Sequence, residues 1–416
     1  MEQEVMKKDH NTISSCRGCG SVRLQPVLDL GCQPLANALK KSLEASEKSF
    51  PLTISFCENC CLMQINETVK KEILFDQYVW VTGTSDVAKT YAQTFFQQVA
   101  AVAGLTKQDL VIEIASNDGT FLVPFVKNEH RCIGIEPAKN IAQIARQNGV
   151  PTWDKYWSEE TATIVSKEYG AAKVVFARNV IPHVSDLHGV IAGIHAVLDE
   201  EGVGIVEFHD GGVILKELHY DSIYHEHLSY FTLKSMSNLL EYHKLFPFHL
   251  GFSPISGGSH VVYFSKKQRQ ETPSYKSSEQ KEKNERVNDL AAWLDFAKRA
   301  NIHRDQTNAI LKRIAGKLVV GFGASARSST YLNFCQLTTG LLSAVIDNNK
   351  MKQGLFTAGT SIPIVSFGQG MALKPDVIFV LAWNFAAEIM NECDRRGFTG
   401  QYILPFPKEP RLVSRL

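Results

Sequence analysis

Between residues 110 and 210, short apolar runs take turns with amphipathic stretches. "LVIEI" leads into "ASNDGTFLVPFV", and "RCIGIE" into "PAKNIAQIARQNGV". "AAKVVFARNV" precedes "SDLHGVIAGIHAVL", and "EGVGIVEFHD" closes the series. A strand–turn–helix unit repeated this way leaves few folds open. Each helix must cross a sheet face to reach the next strand, so the strands lie parallel in a doubly wound α/β sheet. Ligands of such sheets bind beyond the carboxyl ends of the strands. Glu113, Asn117, Asp118, Glu136 and Asn179 are all expected near that edge.

Glu136, followed by Pro137, ends the second run, where an acid accepts hydrogen bonds from a ribose. That position serves NAD and S-adenosylmethionine alike, and the first turn discriminates. "EIASNDG" lacks the Gly-x-Gly-x-x-Gly pattern that brings backbone close to a pyrophosphate. A polar, acidic turn of Ser116, Asn117, Asp118 and Gly119 suits a cofactor with no phosphate that carries an ammonium and a sulfonium. S-adenosylmethionine is the expected cofactor.

The cysteines divide the chain. "SCRGCGS" holds Cys16 and Cys19, and "SFCENCCLMQ" holds Cys57 and Cys60. Each Cys-x-x-Cys lets one tight turn aim two thiolates at one ion, and two such turns complete a tetrahedral zinc site. Cys61 could replace Cys60, but the usual spacing favours Cys60; Cys32 reads as a packing residue. Four sulfurs close the ion's shell, so this zinc is expected to be structural. The expected domains are residues 1–75 (zinc binding), 76–266 (cofactor binding) and 267–416. Between the last two, "SKKQRQETPSYKSSEQKEKNER" reads as an exposed linker running into a charged helix.

A net charge of +1 over 416 residues offers no field to recruit nucleic acid or an anionic membrane. No apolar run approaches the length of a bilayer span, and the N-terminus lacks the apolar core of a signal peptide. A cytoplasmic address is expected. Without a coiled-coil seam or a large apolar stripe, so is a monomer.

After the fourth strand comes "YDSIYHEHLSYFTL", which crowds Tyr224, His225, Glu226, His227 and Tyr230 together. With "LDLGCQPLAN", "EIASNDGTFL", "IGIEPAKNIA", "ARNVIPHV", "VVGFGASARSST" and "LAWNF", in that order around it, the chain resembles the sugar C-methyltransferases. These enzymes use S-adenosylmethionine to methylate a carbon of nucleotide-linked keto-deoxysugars. The resemblance implies a class I (Rossmann-like) methyltransferase domain, a small N-terminal zinc-binding domain and a second Rossmann-like C-terminal domain. It implies His227 as general base, with Glu226, Tyr224, His183 and Tyr78 around the sugar, and "TGTS" beside the cofactor. His225 and His227 alternate, so in an extended segment only one faces the site. The family often has histidine before "GGS" and arginine soon after it. Here Ser256 and His260, Val261 and Val262 stand there.

In the third region, "KLVVGFGASARSST" is a strand, a glycine loop and a helix. A helix N-terminus with an arginine suits a phosphate. The resemblance implies that this unit helps hold the nucleotide-diphospho-sugar, which puts Gly323, Ser325, Ala326 and Arg327 at its diphosphate. Asp347, ending the next strand, would instead suit NAD and a nucleotide-sugar oxidoreductase. Two further alternatives are a different small-molecule acceptor and a zinc-ribbon binding module carrying a degenerate methyltransferase fold.

Overall fold

The computed structural model describes residues 9–70, 73–74, 81–255 and 258–414. Near the N-terminus, β1 (His10–Thr12) pairs with β5 (Glu67–Val69), while β2 (Leu24–Pro34), β3 (Ser49–Cys57) and β4 (Met63–Ile65) form an antiparallel meander. The cysteine turns flank this meander.

The expected doubly wound sheet follows. β6 (Leu110–Ile114), β7 (Arg131–Ile135), β8 (Thr152–Trp153), β9 (Ala172–Arg178) and β10 (Leu198–His209) are parallel. Much later in sequence than β10, and after the short strand β11 (Ser229–Tyr230), come β12 (Phe246–Ser253) and β13 (Ser259–Ser265), with β13 inserted antiparallel beside β10. The order β12-β13-β10-β9-β6-β7-β8 reverses direction between β6 and β9. That switch point opens a crevice at the carboxyl edge. The two-residue β8 carries no periodic signal of its own and was not foreseen.

The C-terminal sheet contains β14 (Val319–Phe322), β15 (Ala344–Ile346), β16 (Ile364–Val365), β17 (Val377–Val380), β18 (Gln401–Leu404) and antiparallel β19 (Arg411–Val413). Its order, β16-β15-β14-β17-β18-β19, is the 3-2-1-4-5-6 arrangement of Rossmann sheets.

Two expectations change. The polar stretch expected to be a linker is helical over Pro273–Glu285, before the longer helix Leu290–Arg313. Thr272 caps it by accepting from the Tyr275 amide, Pro273 sits in the first turn, and Tyr275 and Glu282 are buried. Local composition hid a helix that tertiary packing stabilises. Cys32, expected to pack, is exposed.

The units share their cores. One cluster joins Leu28, Ile54 and Met63 of the meander to Tyr220 and Tyr230, to Trp293 and Phe296 of the long helix, and to Tyr331 and Phe379 of the C-terminal unit. Asp221, 1% exposed, accepts from Arg327 Nε (3.0 Å), Arg327 Nη2 (2.8 Å) and Trp383 Nε1 (2.8 Å), tying the segment after β10 to the C-terminal unit. Removing one partner leaves the other charge buried. Arg327→Met is expected to cost about 3 kcal/mol in urea unfolding; an unchanged midpoint would show that this pair is not holding the units together.

Candidate active site

The four knuckle cysteines converge, with one sulfur of each within 4.8 Å of the others. Cys16 Sγ lies 3.5 Å from Cys60 Sγ, and Cys19 Sγ 3.6 Å from Cys57 Sγ. A tetrahedral ion with Zn–S bonds of about 2.3 Å sets its sulfurs about 3.8 Å apart, so the residues fit zinc. The Gly18 amide donates to Cys16 Sγ at 3.3 Å. Contact with Cys60 pulls the Cys16 thiol down to about 5, the same contact pushes Cys60 up, and burial pushes Cys57 up to about 11. Four thiols this close ionise together only around a cation. Cys61 turns away into the meander core. Arg17, between the first two cysteines, donates to the Ile65 and Glu67 carbonyls and to Thr68 Oγ1, anchoring the knuckle to the sheet.

At the switch point, Ala115, Asn117 and Gly119 have φ of 50°, 50° and 77°. Alternate residues are thus left-handed, a course that favours glycine. The chain follows a glycine-loop path with alanine and asparagine in two of the three places. Glu136 accepts from the Asn117 amide (2.9 Å) and the Ala138 amide (2.9 Å), fixing the turn against the second strand. Glu113 Oε2 and Ser116 Oγ are buried without a hydrogen-bond partner. Burial raises the carboxyls of Glu113 and Glu136 above their ordinary range. The "TGTS" segment lies over this turn: the Thr82 amide donates to Asn117 Oδ1 (2.8 Å) and the Gly83 amide to Asp118 Oδ2 (2.9 Å). Asn179, left-handed after β9, donates from Nδ2 to Glu207 Oε1 at 3.1 Å. Pro137 follows Glu136 at the same edge. Tyr78 lies outside the described residues.

The histidine-rich segment is held from two sides. Upstream, Tyr220 Oη meets His303 Nδ1 at 2.9 Å, Asp221 meets Arg327, and Thr330 Oγ1 donates to the Ile223 carbonyl at 2.8 Å. Downstream, β11 pairs with β4, the Ile65 amide donates to the Leu228 carbonyl (3.0 Å), and His225 Nε2 donates to the Pro51 carbonyl (3.1 Å). Asn37 Nδ2 donates to Glu226 Oε1 at 3.0 Å. Between these anchors stand Tyr224 and His227; His225 meets the Pro51 carbonyl, whereas His227 meets Tyr224 and the Ser222 carbonyl.

A carbonyl can only accept, so the Ser222 carbonyl, 3.1 Å from His227 Nδ1, places the imidazole proton there. Nε2 is left as the acceptor, and Tyr224 Oη donates to it at 2.7 Å. His183 sits 4.7 Å away, ring to ring, with its Nδ1–H on the Glu226 carbonyl at 2.8 Å. The Glu226 side chain holds neither imidazole: its backbone orients His183, and its buried Oε2 has no partner. Burial pushes His227 well below its ordinary value and His183 down to about 4, so both rings are neutral at pH 7.

The C-terminal loop differs from the expected phosphate cradle. Arg327 is committed to Asp221. Ser325 caps its own helix by accepting from the Ser328 amide at 3.1 Å, and the Ala324 amide donates to Asp347 Oδ2 at 2.8 Å. A side chain on Gly323 would collide with Ala382, so this glycine serves strand packing. Ala326 begins the helix. Arg327, Ser325 and Asp347 are thus each engaged within the protein, with Asp221, Ser328 and the Ala324 amide respectively. An open depression of about 380 Å³, lined by Leu110, His130, Arg131 and Tyr169, lies at the opposite edge of the cofactor sheet, away from these groups.

Residues not singled out from sequence also shape the site. Asn37 closes "LDLGCQPLAN" and Trp383 sits in "LAWNF"; both motifs were visible, but their partners lie 189 and 162 residues away. His209 ends β10 with Nε2 buried and unpartnered, its ring 5.6 Å from that of His219.

The β12-β13-β10-β9-β6-β7-β8 sheet and the turn at its switch point are those of an S-adenosylmethionine-dependent methyltransferase. Residues 88–243 match the family described as methyltransferase domain, 16–75 a zinc binding domain, and 254–407 the C-methyltransferase C-terminal domain. Over 409 residues the chain is 32% identical to C-methyltransferase NovU of Streptomyces niveus, covering 97% of each. The chain belongs to this C-methyltransferase family. Among solved structures, the magnesium protoporphyrin IX methyltransferase of Synechocystis with bound S-adenosylmethionine shares 13% identity, with 47% of this chain and 89% of that one covered and a TM-score of 0.33. An S-adenosylmethionine-dependent methyltransferase of Anabaena variabilis shares 13%, covering 47% and 91%, with a TM-score of 0.35. No helix among the described residues is long and apolar enough to cross a membrane.

Because β4, next to the zinc turns, pairs with β11, zinc loss should reach the histidine segment. Cys60→Ser is expected to abolish zinc content, lower the melting temperature and reduce turnover more than S-adenosylhomocysteine affinity. Metal analysis, thermal unfolding and calorimetry check this, and full turnover in zinc-free protein would contradict it.

Proposed function

We propose that the enzyme methylates C-3 of a nucleotide-diphospho-4-keto-6-deoxysugar through an enolate, with His227 taking the proton. The observation that carries the proposal is the His227 tautomer: Nδ1–H is fixed by Ser222 and the Nε2 lone pair is directed at Tyr224. The 4-keto group acidifies the neighbouring C-3 proton, and a neutral imidazole can accept it. Tyr224 acts twice in this reading. It covers Nε2 beforehand, then turns its O–H to the keto oxygen, releasing the lone pair and stabilising the enolate. His183 stands behind as a second donor or alternate base, and Tyr78 is assigned to the sugar by resemblance. Glu226 Oε2 supplies an acceptor for a sugar hydroxyl.

Glu136 is assigned to the cofactor ribose, and Glu113, Ser116, Asn117, Asp118, Gly119, Pro137 and Asn179 to the surrounding wall. When bound there, S-adenosylmethionine supplies an electrophilic methyl group for C-3. The nucleotide end is assigned to the C-terminal unit, at groups other than the engaged Arg327 side chain. The reading places the reaction in branched deoxysugar synthesis, in the cytoplasm.

His227→Gln is expected to lower kcat by about 10²–10⁴-fold while calorimetry finds S-adenosylhomocysteine binding unchanged. Wild-type turnover in this variant would end the proposal. Glu136→Ala is expected to weaken S-adenosylhomocysteine about tenfold, the loss of about 1.4 kcal/mol of hydrogen bonding; equal affinity would remove the ribose assignment alone. The base works when neutral, and its folded pKa is depressed, so the neutral form persists as pH falls through the ordinary histidine value of about 6.5. The acidic limb of kcat/KM is therefore expected below 6.5. A limb at or above that value would contradict a buried, neutral base.

A further inference from the structure

We propose that Asp210, His260 and Glu282 form a second metal site, separate from the cysteine zinc, for a hard or borderline divalent cation of the Mn²⁺ kind. One ligand atom from each residue lies within 4.8 Å of the others. All three are buried, at 7%, 6% and 6% exposure. His260 Nε2 is 3.4 Å from Asp210 Oδ2, and His260 Nδ1 is buried with no partner. The rings of Phe208 and Phe252 pack edge-on against the imidazole and fix it.

The residues come from three elements. Asp210 follows β10 and caps helix Gly211–Glu217, His260 lies on β13, and Glu282 lies on helix Pro273–Glu285. Helix capping accounts for only part of the cluster. Asp210 Oδ1 accepts from the Gly212 amide at 2.8 Å, leaving Oδ2 directed at His260. Glu282 accepts from the Leu233 and Lys234 amides and from Asn288 Nδ2 (2.9 Å). Those bonds hold the carboxylate as outer partners hold a metal ligand. They leave the imidazole unexplained. Among the described residues, neither carboxylate has a lysine or arginine ion pair, so two buried acids share one histidine. A divalent cation among the three side chains neutralises that charge, with His260 Nε2, the nitrogen turned to Asp210, as its nitrogen ligand. Two carboxylates with one imidazole suit Mn²⁺, Fe²⁺ or Zn²⁺, whereas the thiolate site keeps zinc. The ion would join β10, β13 and the 273–285 helix directly behind His209, bracing the floor of the acceptor side.

The test titrates Mn²⁺ into the full, zinc-loaded chain and reads bound ion by electron paramagnetic resonance, with ¹⁵N-histidine labelling to detect a nitrogen ligand. One Mn²⁺ per chain with histidine hyperfine coupling is expected. His260→Ala should abolish the coupling, and both it and Asp210→Asn should weaken binding at least about tenfold. Asp210→Asn keeps an oxygen for the Gly212 cap, and retained zinc confirms that each variant is folded. If His260→Ala loses its zinc, Asp210→Asn decides. No Mn²⁺ bound at millimolar concentration, or binding that folded variants leave unchanged, overturns the site.

Discussion

Two residues of backbone pairing, Ser229 with Gln64 and Tyr230 with Met63, decide where the histidine segment can be. They make the end of that segment the edge strand of a sheet whose other strands carry the zinc turns. The Ile65 amide on the Leu228 carbonyl and Asn37 on Glu226 extend the seam. On the other side, Asp221 and Tyr220 are fastened into the C-terminal unit. Tyr224 and His227 bridge the interval between two anchored stretches. Their geometry is set by the outer units, not by the sheet that forms the cofactor crevice. The zinc site is structural in its chemistry, yet the sheet it braces also mounts the imidazole proposed here as the base.

This division suits the chemistry of carbon methylation. A base for this step must be neutral, oriented and kept from bulk water. In the proposed base, burial meets the first need, lowering His227 and His183 together, and the Ser222 carbonyl meets the second by choosing the tautomer. Buried polar atoms without partners include Glu113 Oε2 and Ser116 Oγ at the cofactor turn, and His209 Nε2, Ser222 Oγ and Glu226 Oε2 at the end of β10 and along the histidine segment. Buried groups of this kind are costly unless something meets them.

Much of this was legible in the sequence because it is local. A Cys-x-x-Cys turn encodes its metal geometry in four residues, and the strands around Glu113 and Glu136 announce themselves by apolar runs ending in acids. The turn after β6 was read as lacking the Gly-x-Gly-x-x-Gly pattern, which is true of its residues. Yet Ala115 and Asn117 adopt the left-handed backbone that glycine would, so composition hid the loop's shape. Long-range partners were not legible. Arg327 looked like a phosphate ligand because Asp221, 106 residues earlier, is invisible to local pattern. Pairing between β11 and β4 spans more than 160 residues and rests on a two-residue strand with no periodicity of its own. The helix over Pro273–Glu285 owes its burial to Tyr275 and Glu282, which a charged stretch disguises.

The central claim is that an oriented imidazole strips a proton from a carbon beside a ketone. It is tested most directly by omitting the methyl donor. A nucleotide-diphospho-4-keto-6-deoxyhexose is incubated in D₂O with the zinc-loaded enzyme and S-adenosylhomocysteine, and deuterium at C-3 is followed by NMR. The account predicts enzyme-dependent exchange at C-3 that vanishes in His227→Gln. Exchange that persists undiminished in that variant, or none in the wild type, would contradict it.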